Sequence, residues 1–388
     1  MQHIVDDLVL IKSIGKGNYG EVYLTQKKGR PEYYATKKME RSVCEKPENL
    51  KRLQYEINIL KVLNHPNIVK FYGLKKTTNH WYLLTEYCNG GSLLGNLQKY
   101  MTNYRRPFPE EVVQYLMKQI VSALNYLHFN KIIHRDLKLD NILVTFKNEY
   151  DKSSLNMMKA IIKIIDFGFA TKLNGPLTFT ALGTPTNMDP QILEHINTGI
   201  PNSGYNEKVD IWSLGTLCYQ MVVGHMAFSG RSMEELFQKV KKGNYSLPMT
   251  LSKEIVSFIN GMLQQDPNKR LTANQLLNHE FLTKHPSQFQ PIDVRQISGT
   301  IGPGGVINMK SASTPQVTNY GDNILQLWAI FNQPGIYSGA PSQMPVRQVQ
   351  QVQPVMQLPT QQQYGGYMNQ QQQYYVNSNQ VQMMNGYY

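Results

Sequence analysis

Apolar and polar positions change rhythm along the chain. Leu8-Val9-Leu10-Ile11 opens a β-rich run, and 8–14 is predicted as a strand. Val22-Tyr23-Leu24-Thr25 and Tyr33-Tyr34-Ala35-Thr36-Lys37 are β-branched or aromatic and predict two more. The period then becomes helical. Leu50, Leu53, Ile57 and Leu60 form one apolar face and predict a helix over 48–63, with Glu56 at the edge of that face. Residues 112–129 carry a strong helical pattern without Pro or Gly. Ile161-Ile162-Lys163-Ile164-Ile165 reads as a buried strand, and an apolar helix runs from Asp210 through Val223. Between them, 145–159 is polar and reads as a long surface loop.

The last hundred or so residues depart from this order. They are rich in Gln, Asn, Pro, Met and Tyr, with a pure run at Gln370-Gln371-Gln372-Gln373. Such composition buries too little apolar area to offset chain entropy, so 283–388 is predicted as a disordered tail. Tyr364, Tyr367, Tyr374, Tyr375, Tyr387 and Tyr388 alternate with polar residues, a pattern that favours self-association. The apolar octet 324–331 is a candidate docking helix within it. Of the formal net charge of +12, Lys284, Arg295, Lys310, Arg347, Asp293 and Asp322 leave +2 in the tail and +10 before it. No aromatic-interleaved basic patch argues for nucleic acid, and no apolar run is long enough to span a bilayer. Cys44, Cys88 and Cys218 suit neither a disulfide framework nor a CxxC metal site, so a reducing cytosolic or nuclear setting is expected, and the cytoplasm is the reading taken.

Gly15-Lys16-Gly17-Asn18-Tyr19-Gly20 is ambiguous alone, because dinucleotide folds use the same spacing. The run after it, from Val22 to Thr25, is strand-like, not helical. A glycine hairpin covering phosphates is the better reading, since without a Cβ the backbone can approach them closely. His134-Arg135-Asp136-Leu137-Lys138-Leu139-Asp140-Asn141 is followed by Asp166-Phe167-Gly168. Asn141 and Asp166 offer the hard oxygens that Mg²⁺ requires. Asp136 can accept a hydroxyl proton, and Lys138 puts a positive charge beside it.

With these motifs, the stretch from Leu8 to Leu282 resembles a eukaryotic protein kinase. The resemblance implies an α+β, bilobal fold: a catalytic domain over 8–282, with a β-rich N-lobe at about 8–85 and a helical C-lobe at about 89–282. It implies that ATP and Mg²⁺ are used to phosphorylate protein substrates. Catalytic roles fall to Asp136, Lys138, Lys37 and Glu56, and metal binding to Asn141 and Asp166. The nucleotide site comprises Ile14, Gly15, Gly17, Gly20, Val22, Ala35, Lys37, Thr85, Glu86, Cys88 and Leu143. Thr85 is the gatekeeper, and Glu86 and Cys88 act through their main chain. Asp210 anchors the catalytic-loop backbone. Lys138 and Thr184 resemble the serine/threonine class, and Asp166-Phe167-Gly168-Phe169-Ala170 with the long preceding loop resembles the Unc-51-like, autophagy-initiating kinases. Thr180, then Thr178, is the expected activation-segment phosphosite, with Arg135 and Lys172 as its cations. One departure stands out. The family's A-P-E is Asp189-Pro190-Gln191 here, so the arginine at 270 loses its usual glutamate; Gln191 offers only a hydrogen bond, and Asp189 is a nearby substitute. The alternative is a pseudokinase scaffold acting through partners and tail-mediated assembly, although the catalytic set is complete.

Overall fold

The alternating segments at the start of the chain pair into one antiparallel sheet. This is a computed structural model, which describes residues 3–17, 20–173, 183–198, 204–291, 299–302 and 306–309. The strands are β1 (His3–Val5), β2 (Leu8–Gly17), β3 (Gly20–Lys27), β4 (Tyr33–Glu40), β5 (Phe71–Lys76) and β6 (His80–Glu86), in the order β1-β2-β3-β4-β6-β5. All three predicted N-terminal strands lie inside β2, β3 and β4. Sequence reading did not anticipate β1, which hydrogen-bonds to the edge of β2 and helps to bury Leu8, Leu10, Tyr82 and Leu84 on one face. Gly20 is required by close approach: a Cβ there would lie 1.9 Å from the Lys38 carbonyl oxygen.

Helices α1 (Arg41–Cys44) and α2 (Pro47–Val62) follow β4. Pro47 starts α2, where its missing amide leaves no bond unmade. Leu53 and Ile57 pack on Met39, Trp81 and Leu83, while Ile59 and Leu60 join the core of the second lobe. The same periodicity buries Glu56.

The second lobe is built on α4 (Glu110–Phe129) and α7 (Lys208–Val223), with α3 (Leu93–Tyr104) alongside. Val113, Leu116, Met117, Ile120, Val121, Leu124 and Leu127 are fully buried. Every residue of α7 after Lys208 is buried, as expected of a helix at the centre of a domain rather than on its surface. Trp212 stacks on Phe228 at 5.5 Å. Strands β7 (Ile132–Ile133) and β10 (Thr171–Lys172) pair, as do β8 (Ile142–Thr145) and β9 (Ile161–Ile164).

The predicted polar loop between β8 and β9 holds α5 (Glu149–Ser153), whose first turn is capped by Asn148 accepting the Asp151 amide at 2.8 Å. Leu155 and Met157 are buried beneath it. Scattered apolar residues over so short a span give no readable period, and sequence reading missed the helix for that reason. Its stem is fixed. Thr145 pairs with Ile161, and Gln119 donates to the Ala160 carbonyl (3.0 Å) and accepts from the Ile162 amide (3.1 Å).

The remaining elements are α6 (Pro190–Thr198), α8 (Met233–Lys242), β11 (Tyr245–Pro248), α9 (Lys253–Met262), α10 (Ala273–Leu277) and α11 (Glu280–Thr283). Ordered packing continues past residue 282. Phe289 stacks on Phe281 at 5.4 Å, and Glu254 accepts from the Gln290 amide (2.9 Å) and the Lys284 ammonium (3.1 Å). Burial alone would raise the pKa of Glu254, but these two donors outweigh it and hold the carboxyl low. Strands β12 (Gly299–Gly302) and β13 (Val306–Met309) add to β11, with Tyr245 opposite Met309. The octet 324–331 and the tyrosine-rich tail lie outside the described residues. Among the described residues, no helix is long and apolar enough to cross a membrane.

Candidate active site

A buried aspartate sets the geometry of the loop after β7. Asp210, in the first turn of α7, is fully buried. Its carboxylate accepts the amides of His134 (2.9 Å) and Arg135 (2.8 Å) and the His128 ring nitrogen (3.0 Å). Burial by itself would raise its pKa; the His128 hydrogen bond and the nearby imidazoles reverse the direction and lower it. Arg135 is thereby held at φ 69°, a left-handed conformation that few non-glycine residues adopt. The His134 ring donates to the Ile165 carbonyl at 3.0 Å and meets the buried Phe167 ring edge-on at 5.1 Å.

This turn presents Asp136, which is buried to 5 % exposure. One of its carboxylate oxygens accepts the Thr184 hydroxyl at 2.6 Å, and the other accepts the Asn141 amide at 2.8 Å. Lys138 Nζ lies 3.1 Å from Asp136 and donates to Thr184 at 2.8 Å. The catalytic residues expected from the loop motif therefore meet in one network. Thr184, read from sequence only as a class marker, is part of it. It reaches the loop because Gly183 adopts φ 129°, where a Cβ would lie 2.7 Å from the Arg135 carbonyl oxygen.

The β8–β9 pairing brings Asn141 beside Asp166: the Ile165 amide donates to the Asn141 carbonyl at 2.9 Å. Asp166, at φ 61°, accepts the Gly168 amide on one carboxylate oxygen at 3.2 Å. Among the described residues, its other oxygen and the Asn141 amide oxygen have no hydrogen-bond partner. Two hard donors of this kind fit a divalent cation that keeps some of its water.

Strand register gathers the expected nucleotide residues. Ala35 and Lys37 share one face of β4; Thr85 stands opposite Ala35, and Val22 opposite Lys37. Ile14 is the extra residue of a bulge between the Ser13–Tyr23 and Gly15–Val22 pairs, and is 40 % exposed. Gly17 faces Gly20 across the turn. Leu143, on β8, is half-buried and bridges to Ser92. Glu86 points its side chain away from that face, to Lys163 at 2.8 Å and the Lys70 amide at 3.2 Å. Burial pushes the Cys88 thiol up to about 11, which disfavours its thiolate near neutral pH.

Glu56 shows the opposite shift to Asp210. Burial raises its pKa to about 7, against the lowering influence of Lys37 and with a further push from Asp166. Its neighbour Tyr55 accepts the Lys172 amide at 2.6 Å and so ties α2 to β10. A lone helix tyrosine gives no sequence cue to that contact. The Arg135 side chain donates to the Phe169 carbonyl (2.6 Å) and the Tyr205 hydroxyl (3.2 Å). Thr178 and Thr180 lie outside the described residues.

The family model for the protein kinase domain matches residues 8–282. The chain is 34 % identical over 285 residues to the probable serine/threonine-protein kinase MARK-A of Dictyostelium discoideum, covering 73 % of this chain and 24 % of that one. It is 32 % identical over 292 residues to protein kinase C epsilon type of Oryctolagus cuniculus, covering 74 % and 36 %. With serine/threonine-protein kinase PLK4 of Xenopus laevis the identity is 31 % over 280 residues, covering 72 % and 27 %. The chain thus spans between 24 % and 36 % of the length of these relatives. On the fold, the catalytic-loop geometry and this match together, the chain belongs to the protein kinase domain family.

Proposed function

We propose that this chain is a serine/threonine kinase that transfers the γ-phosphoryl group of ATP to hydroxyls of protein substrates. The observation that carries the reading is the Asp136 carboxylate, fixed by Asn141 and Lys138 and already accepting a hydroxyl from Thr184. A carboxylate so held can accept the proton of a substrate Ser or Thr as its oxygen attacks phosphorus. Lys138 supplies positive charge beside that oxygen. Lys37, oriented by Glu56, binds the nucleotide phosphates beneath the Gly15–Gly20 turn. Asn141 and Asp166 hold Mg²⁺, which neutralises phosphate charge when bound.

Within the class, the sequence 166–170 and the β8–β9 excursion support an Unc-51-like kinase acting in the cytoplasm, and assays of autophagic flux after depletion are the direct check. Activity is read as switched by phosphorylation at Thr180, with Arg135 and Lys172 as the receiving cations. The tail is read as an association segment that phosphoryl transfer does not need, because every residue assigned to the chemistry precedes it.

Asp136→Asn and Lys37→Met are expected to lower peptide phosphorylation by roughly 10²–10⁴-fold while circular dichroism stays unchanged. Wild-type turnover in either variant rejects the assignment. Thr180→Ala should leave a chain that an activating kinase no longer stimulates, and phosphopeptide mapping of the active enzyme should find Thr180 modified; full activity in the alanine variant contradicts the switch. A chain ending at Pro291 should keep the peptide rate and lose concentration-dependent association in ultracentrifugation. Unchanged association would remove the tail's role.

Glu56 yields a pH-dependent test. Its raised pKa means the native state holds a proton that the unfolded chain has already released. Stability is therefore lost as pH rises from about 4.5 to about 7, and the loss is complete above that range. Glu56→Gln cannot ionise. In thermal melts of the nucleotide-free protein it should be a few degrees more stable than wild type at pH 8 and about equal to it near pH 4, while its activity is lower. The same difference at both pH values would show that Glu56 is not buried as an acid with a raised pKa.

A further inference from the structure

Arg270 is a fully buried cation packed against the start of α7. Its Nε donates to the Gln264 carbonyl (2.7 Å), Nη1 to the Lys208 carbonyl (3.0 Å) and Nη2 to the Gln265 carbonyl (3.3 Å). The guanidinium also lies 5.1 Å from the centre of the Trp212 ring. Carbonyl dipoles and an aromatic face do not neutralise a full charge at zero exposure. The carboxylate that does so is Asp189, whose side chain is equally buried and which pairs with Nη1. Gln191, at the position where the family carries glutamate, is only half-buried, and its side chain makes no hydrogen bond among the described residues.

Asp189 has a second task. Its other carboxylate oxygen accepts the Gln191 amide at 2.8 Å, and its carbonyl accepts the Leu193 amide at 3.0 Å. These are the bonds of a helix N-cap, so one carboxylate both starts α6 and neutralises Arg270. The chain between Asp189 and Thr184 has little slack. Asn187 donates to Thr216 (2.8 Å) and its carbonyl accepts the Ser213 hydroxyl (2.7 Å), both from α7. The Asn187 amide closes back on the Thr184 carbonyl at 2.9 Å. Thr184 in turn contacts Asp136 and Lys138.

Building on the kinase reading, we propose that Asp189 is a positioning residue for phosphoryl transfer: the counter-charge of Arg270 has moved two residues upstream onto the helix cap, and from there it fixes the segment that sets Thr184 on the catalytic carboxylate. Removing one partner of a buried pair leaves an uncompensated charge, and the segment must shift to hydrate it. That shift displaces Thr184 and the surface on which a peptide substrate lies, but not the sheet face assigned to the nucleotide.

The substitution series separates charge from cap. Asn caps a helix about as well as Asp, so Asp189→Asn can keep the cap while it removes the charge and turns an NH₂ group, instead of an acceptor, toward Arg270. At a temperature well below its melting point, this variant should lose roughly tenfold or more in kcat/KM for a peptide while KM for ATP stays within about twofold. Adding Gln191→Glu returns a carboxylate at the family's position, and the double variant should recover to within about threefold of wild type. Gln191→Glu alone should change neither kcat/KM nor, beyond about 1 °C, the melting temperature, because Arg270 already has its counter-charge. Wild-type kcat/KM in Asp189→Asn overturns the proposal. So does a double variant no better than Asp189→Asn, or a gain of several degrees in Gln191→Glu alone. If Asp189→Asn does not fold, the Gln191→Glu melt still decides. If the wild-type chain phosphorylates no peptide, the kinase reading fails, while the melts still report which carboxylate serves Arg270.

Discussion

The site depends on a negative charge buried where charge is costly. Asp210 is acceptable inside the core because three donors converge on it: two consecutive loop amides and an imidazole. The relation runs both ways. Those amides belong to a turn that includes a left-handed arginine, and without the carboxylate they would be buried donors with nothing to bond. Helix α7 supplies Asp210 from its first turn, where the aligned peptide dipoles also favour an anion. The placement of Asp136, and through it of Asn141, Lys138 and Thr184, follows from this one contact across the core.

Asp210 and Glu56 are both buried carboxylates, and their environments push them in opposite directions. Asp210 is saturated with donors and stays ionised, as a fixed anchor should. Glu56 is desolvated, with one cation and one competing anion in range, and its proton is only loosely lost near neutrality. Groups balanced in this way respond to what binds nearby, and a second cation or a polyanion at Lys37 would tip it. Helix α2 carries this sensitive acid next to Tyr55, whose hydroxyl holds the start of the activation segment. A change in one is thus mechanically close to the other.

Much of this was legible in the residues themselves. The strands around Gly15–Gly20, the helix bearing Glu56, and the loop motifs around Asp136 and Asp166 all rest on local rules: alternation, a 3.6-residue period, and fixed spacing of donors. What escaped was of two kinds. Helix α5, strand β1 and the β12–β13 hairpin are too short to show a period, and tertiary packing holds them. Others are pairings over long separations. The Arg270–Asp189 contact spans 81 positions, and the Lys172–Tyr55 contact spans 117. The family resemblance identified the departure at Gln191 and proximity identified Asp189, but only the folded chain shows which carboxylate is buried against the guanidinium.

The excursion between β8 and β9 has its stem clamped by the Thr145–Ile161 pair and by Gln119, and its interior closes on itself through the Asn148 cap and the buried Leu155 and Met157. Mechanical load from this loop is borne at the clamp before it can reach Asn141 on one strand or Asp166 on the other. Loop-closure entropy grows slowly, by about 0.6 kcal/mol for each doubling of length. Changes in the length or sequence of this stretch should therefore cost the placement of Asn141 and Asp166 little. Asn141 and Asp166 stay in register whatever this stretch carries, because the pairing of β8 with β9 sets their spacing.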